Sequence, residues 1–206
     1  MRISAENDMQ TPRDLLPAFY RKYQLGDDGG QSRAYVKVEL TKKISLYFPN
    51  FDARRKAIFK HDVHHMVTGY TSTFKGETEI GAWEIGSGCR QYWAAFILDI
   101  AAITPGMLIN AAGVYKAFVR GRRTKNLYAD LFTDEQVMDM PITQIKKNLL
   151  LDDDSSKTNG NLPDVLLFVL LLIAGVIYSI LSILVTPFIL LYTVYIMLKR
   201  QRPFPS

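Results

Sequence analysis

The chain has 206 residues, 48% of them hydrophobic, and a formal net charge of +5, which allows one domain with its own core plus an appendage. A single cysteine, Cys89, excludes an intramolecular disulfide, and the first ten residues carry Glu6 and Asp8 without the apolar run of a cleaved secretory signal. Nucleic acid, the usual partner of a basic protein, is not expected: acids are interspersed through the first 160 positions and no binding motif occurs.

In chain order, a short apolar-periodic stretch predicts a helix from Pro12 to about Tyr23, followed by a turn rich in Gly and Asp from Gly26 to Gln31. The Ala34 to Phe48 stretch mixes β-branched and basic residues, and its helical neighbours favour helix. Asn50 is a plausible N-cap, with Asp52 in the first turn of a helix that ends near Gly69. After the polar loop Tyr70 to Thr73, one helix of about seven turns is expected from Gly76 to Ile103, stopped by Pro105. Its aromatics Trp83, Tyr92, Trp93 and Phe96 read first as core. Gly81, Gly86 and Gly88 suit tight helix packing, or close approach of a flat apolar ligand.

A further helix is expected from Met107 to Arg120, and Asp99, Thr104 and Asn110 argue that residues 93 to 118 form core rather than a membrane span. One or two helices should occupy Thr133 to Leu151, broken at Pro141. Residues 152–162 are a polar linker, which separates a helical metal-binding domain (1–151) from a membrane anchor with a basic tail (163–206). The fold class is therefore all-α: a compact helical domain followed by a transmembrane or re-entrant helical segment.

No charge interrupts residues 165 to 198, which as one straight helix would measure about 51 Å against a hydrocarbon core of roughly 30 Å. Pro187 could kink a long helix, or a turn at Ser179 to Ser182 could make a hairpin. Lys146, Lys147 and Lys157 precede the segment and Lys199, Arg200 and Arg202 follow it; this tie mildly favours a hairpin with both clusters, and the helical domain, on the cytoplasmic side.

All three histidines fall within His61, Asp62, Val63, His64 and His65, and Glu77 follows twelve positions later. On a helix His61 and His65 lie about 40° apart and Asp62 about 100° from His61, so the three share a face. A short return turn would bring in Glu77 as a fourth ligand. His64 points about 60° to the other side and is left out. Glu84 lies almost on the face of Glu77, as a supporting second layer or simply exposed. Two imidazoles and two carboxylates suit a divalent ion such as Zn, Mn or Fe, and composition does not choose among them. The histidine count excludes membrane di-iron desaturase chemistry, and no histidine precedes His61 for an HD-type phosphohydrolase. A zincin-like hydrolase would need Glu where Asp62 stands.

The order His61, Asp62, His65 and, after eleven intervening residues, Glu77 resembles the signature of the Coq4 family of quinone-biosynthesis proteins, whose proposed metal ligands all four positions match. The resemblance extends through the basic run Arg120 to Lys125 and through Pro141, Ile142, Ile145 and Leu149, covering about residues 15 to 151. Only the metal motif is specific, and the C-terminal apolar segment is a departure. The resemblance implies a divalent ion, zinc first with Mn, Fe or Mg as alternatives, and a polyprenylated hydroxybenzoate whose ring carboxylate is removed during ubiquinone synthesis. A groove for the prenyl tail would involve Trp83, Trp93 and Phe96. The rival expectation is a membrane scaffold that binds quinone intermediates, carries a structural metal and recruits other biosynthetic proteins; a metal-dependent hydrolase is the lesser one.

Overall fold

The computed structural model describes residues 9–39, 45–152 and 159–201. Seven helices dominate among these residues: α1 (Pro12–Tyr23), α2 (Asp52–Thr68), α3 (Phe74–Ser87), α4 (Trp93–Arg122), α5 (Asp134–Met138), α6 (Ile142–Asn148) and α7 (Leu162–Gln201), with a 3-10 turn at Leu127–Ala129. The all-α expectation holds, with one addition. Strands β1 (Tyr35–Glu39) and β2 (Ser45–Pro49) pair antiparallel from Tyr35 opposite Pro49 to Glu39 opposite Ser45, where a helix was expected. The β-branched and aromatic residues there suit a pleated ribbon, and cross-strand pairing overrides the helical context.

Local signals account for most helix ends. Asp14 reaches back to the Thr11 N–H (3.0 Å) and Pro12 opens α1. Gly69 closes α2 at φ 80°. Asn50 does not cap α2. Phe51 holds that position, while the Asn50 amide donates to the carbonyls of Gly30 (2.9 Å) and Arg33 (2.7 Å) and so ties the Gly-rich loop to the helix start. The break expected at Pro141 is present, between α5 and α6.

The single helix expected from Gly76 to Ile103 is two. Gly88 (φ 97°) ends α3, and Arg90 in left-handed backbone (φ 48°) turns the chain toward α4. Pro105 does not stop α4, which instead breaks at Asn110 (φ −150°, ψ 54°). Asp99 packs against Gly81 and Gly106 against Thr78, while Gly113 meets Glu79 and Gly121 meets Trp83. A straight helix would place Asp99 and Gly121 about 33 Å apart, longer than the whole of α3 at about 21 Å. The chain must therefore reverse along α3 at Asn110, whose amide donates to Glu79 (2.7 Å) and anchors the turn. The glycines allow these close crossings: a Cβ on Gly86 would collide with the Phe118 carbonyl.

The core lies where α2 meets its neighbours, with Phe59, Val63 and Val67 against Leu16, Ile80, Trp83, Val114, Phe118, Ile145 and Leu149. Each such side chain contributes about 1.5–3 kcal/mol by leaving water. Not all of α4 joins it, contrary to the core expectation for residues 93 to 118. Trp93 is 57% exposed and Leu108, beside the turn, 90%, with Ile97, Leu98 and Ile109 also in the open.

By length and composition α4 and α7 are both apolar enough to cross a membrane. Reversal at Asn110 leaves α4 as arms of about 25 and 18 Å, short of a hydrocarbon core of roughly 30 Å. α7 is one continuous helix of 40 residues, about 60 Å long, and the hairpin expectation is corrected. Its polar residues do not break it, because Ser179 donates to the Gly175 carbonyl and Ser182 to that of Tyr178, both at 2.8 Å. The start of α7 is docked: Asp164 pairs with Arg122 and Arg123, and Phe168 packs on Tyr115 and Phe118.

Candidate metal centre

α2 presents His61 and His65 one turn apart, and α3 brings Glu77 back to them. The return is tight: Thr73 caps α3 by accepting from the Gly76 N–H, and a side chain at Gly76 would collide with the Thr71 carbonyl. Ser72 donates to Glu77 Oε1 (2.7 Å) and holds that carboxylate toward α2. His61 Nε2 lies 3.3 Å from Glu77 Oε2, His65 Nε2 3.3 Å from Glu77 Oε1, and the two Nε2 atoms are 3.2 Å apart.

The outer nitrogens decide what this cluster can hold. His65 Nδ1 donates to the Tyr70 carbonyl (2.9 Å), and His61 Nδ1 faces the buried Glu84 carboxylate (3.0 Å). With both Nδ1 protons committed, neutral imidazoles direct two Nε2 lone pairs at each other beside a carboxylate, which is repulsive unless a cation or proton lies between. An ion about 2.1 Å from each of three donors leaves them roughly 3.0–3.4 Å apart, matching this trio. Support of each imidazole through its second nitrogen is the usual outer layer of a metal site. Positive charge is favoured here: His61 is held well above its ordinary value, burial being outweighed by Glu84 and Glu77. Glu77 is held well below the carboxylate range, its burial outweighed by the two histidines beside it. The trio is reachable, with the Glu77 side chain 36% exposed.

Asp62, the fourth expected ligand, does not join this cluster. Its carboxylate lies against the Gly29 loop, where a Cβ on Gly29 would come within 2.6 Å of Oδ2, and that oxygen is buried without a hydrogen-bond partner. Burial, partly offset by His61 and His65, pushes Asp62 up to about 6.

His64 is fully buried, and both its nitrogens are used. Nδ1 donates to Glu84 (2.6 Å), and Nε2 accepts from the Leu127 N–H (2.9 Å). Burial lowers its basicity further, so His64 stands as a neutral structural residue. Glu84, fully buried, accepts from His61, His64 and the Tyr128 hydroxyl (3.1 Å). Asp99 lies within 4.8 Å of His61 and Glu84, a second acid-rich group behind the first. Sequence reasoning missed Asp99, Tyr128, Ser72 and the Tyr70 carbonyl. In the sequence Asp99 stands far from the histidines and argues only against a membrane span, and a backbone carbonyl leaves no residue-type signal.

The expected groove is not assembled. Trp83 is completely buried, with its ring near His64 and its N–H on Thr124 (2.9 Å), whereas Trp93 stacks on Phe51 at the surface and Phe96 is exposed beside it. The tight packing between α3 and α4 draws Trp83 inward, away from the other two.

These features define a helical protein with a histidine–glutamate cluster beside exposed apolar helices. No protein-family model, curated protein or solved structure matches the chain.

Proposed function

We propose that the protein holds a divalent ion, zinc first, at His61, His65 and Glu77, and acts at a membrane on a polyprenylated hydroxybenzoate, removing its ring carboxylate in quinone biosynthesis. The observation that carries the metal reading is the approach of two Nε2 atoms with both Nδ1 atoms already occupied. The substrate class rests on the resemblance of the motif to the Coq4 family. The exposed apolar side chains of Trp93, Phe96 and Ile97 on α4, and those along α7, support it as surfaces on which a long prenyl tail can lie.

Three converging protein donors leave a coordination position for a substrate oxygen, which favours catalysis over a purely structural metal. When bound, the ion would polarise the substrate carboxylate or ring oxygen. Glu84 holds the His61 ring, Tyr70 and Ser72 hold His65 and Glu77, and no donor needs to rearrange to receive a ligand. Loss of carbon dioxide leaves its bonding pair on the ring carbon, which must take a proton. Water reaching the trio past the partly exposed Glu77 side chain can supply it.

Metal analysis of purified protein together with mass spectrometry of co-purifying lipid tests both halves. In a producing cell, Glu77→Ala should cause a carboxylated, prenylated ring precursor to accumulate. A general fall of the pathway and of its other enzymes without that build-up would assign a scaffold role, and normal quinone levels would reject both.

A further inference from the structure

A cavity of about 320 Å³ lies outside the histidine cluster, with Arg33, Arg54, Tyr35, Gly29 and Gly30 among its lining residues. Its size falls at the small end of ligand sites. Two arginines line it, and among the described residues no acidic one does. The Arg54 side chain is half-buried at the start of α2, and its hydrogen bond among the described residues is to the neutral Asn50 side chain (2.9 Å). Arg33 makes no side-chain ion pair among the described residues. Of the two acids of the loop, Asp28 is spent on the N–H groups of Gly30 (2.9 Å) and Ser32 (2.7 Å), and Asp27 is exposed and not part of the lining. Asp62 acts on Arg54 through space without pairing to it. A guanidinium withdrawn from water with no anionic partner is costly, and its planar fork matches a phosphate or carboxylate.

An aromatic residue of the lining indicates the form of that anion. Tyr35 lines the cavity, and its ring meets that of Tyr192 (6.3 Å) on α7, which carries no charge from Val165 to Leu198. An anion in the cavity would therefore lie beside the apolar helix. We infer that this cavity binds the phosphate headgroup of an anionic lipid, gripped by Arg54 and Arg33, with the acyl chains running along α7. Arg54 and His61 are seven residues apart on nearly the same face of α2, so the headgroup would sit about 10 Å from the histidine cluster, beyond Gly29 and Asp62. The inference does not depend on the metal reading.

The test uses the full-length protein in micelles of a neutral detergent, titrated by calorimetry with inorganic phosphate and, separately, with phosphatidic acid added to the micelles. Phosphatidic acid should bind more tightly than phosphate and be competed by it. Arg54→Gln should weaken both at least tenfold, Arg54→Lys should recover part of the loss, and the exposed Arg33→Gln should weaken both to a smaller extent. Thermal melting and metal content, measured on the same variants, separate this result from misfolding and from failure of the metal centre. Phosphate binding with no gain from phosphatidic acid would overturn the lipid assignment. Affinities unchanged in both glutamine variants would overturn the site.

Discussion

His64 shows how much a single side chain's neighbours decide. Its ring is fully buried between Trp83 and Tyr128, and it supplies Glu84 with the short hydrogen bond that fixes the carboxylate behind His61. His64→Ala should leave a cavity and an under-bonded Glu84, destabilising the protein by about 2–4 kcal/mol while metal per folded molecule stays near wild type. His65→Ala, by contrast, should abolish most metal binding with a smaller loss of stability. Metal analysis and denaturant unfolding on the same preparations check the pair, and equal metal loss in both would make His64 a ligand. Asp62 gives a pH signature. Its carboxyl is raised to about 6, so its favourable contribution to folding is complete below the ordinary value near 4 and is lost as pH rises through 6. In metal-free protein, Asp62→Asn should be more stable than wild type by up to ~3 kcal/mol near pH 8, a difference that shrinks toward pH 4. Unfolding midpoints at the two pH values measure it, and a constant difference would assign the effect to packing.

At the scale of elements, the crossing of α3 and α4 rests on glycines that admit nothing larger. Gly86→Ala would drive a methyl into the Phe118 carbonyl and should cost about 1–3 kcal/mol, read as a lowered melting temperature. The tail docks on the domain at two places: Phe168 and Leu171 belong to the core, and further along Tyr192 meets Tyr35 and Ile196 is buried, whereas Ile183, Leu184, Phe188 and Leu191 are exposed. Truncation after Tyr178 should therefore move much of the protein to the soluble fraction and lower its melting temperature modestly, through loss of the contacts with the β1–β2 ribbon. Truncation after Gly160 should also solubilise it but lower stability by several kcal/mol, since two core side chains and the Asp164 ion pairs are lost. A full-length chain that is monomeric and soluble without detergent would contradict the membrane reading.

For the whole molecule, the sequence by itself determined the helical class, the helix end at Gly69, the break at Pro141 and the length of the apolar tail. Each of these is written in local composition or in a period of 3.6 residues. The proximity of His61 and His65 was legible for the same reason, since two residues one turn apart on a helix must share a face. Glu77 was reachable by inference because the loop between Gly69 and α3 is short. What only the tertiary structure decided were relations between distant residues. These include the reversal of α4 at Asn110, where a side chain on α3 receives the turn, and the inward placement of Trp83, set by glycines on a partner helix. They also include the pairing of β1 with β2 and the assembly of Glu84, Asp99 and Tyr128 behind His61. The position of Asp62 belongs with them: its angle on α2 was right, but whether its carboxylate meets the histidines or the Gly29 loop depends on what packs opposite. Local sequence sets the directions in which side chains leave an element, and only packing between elements determines what they meet.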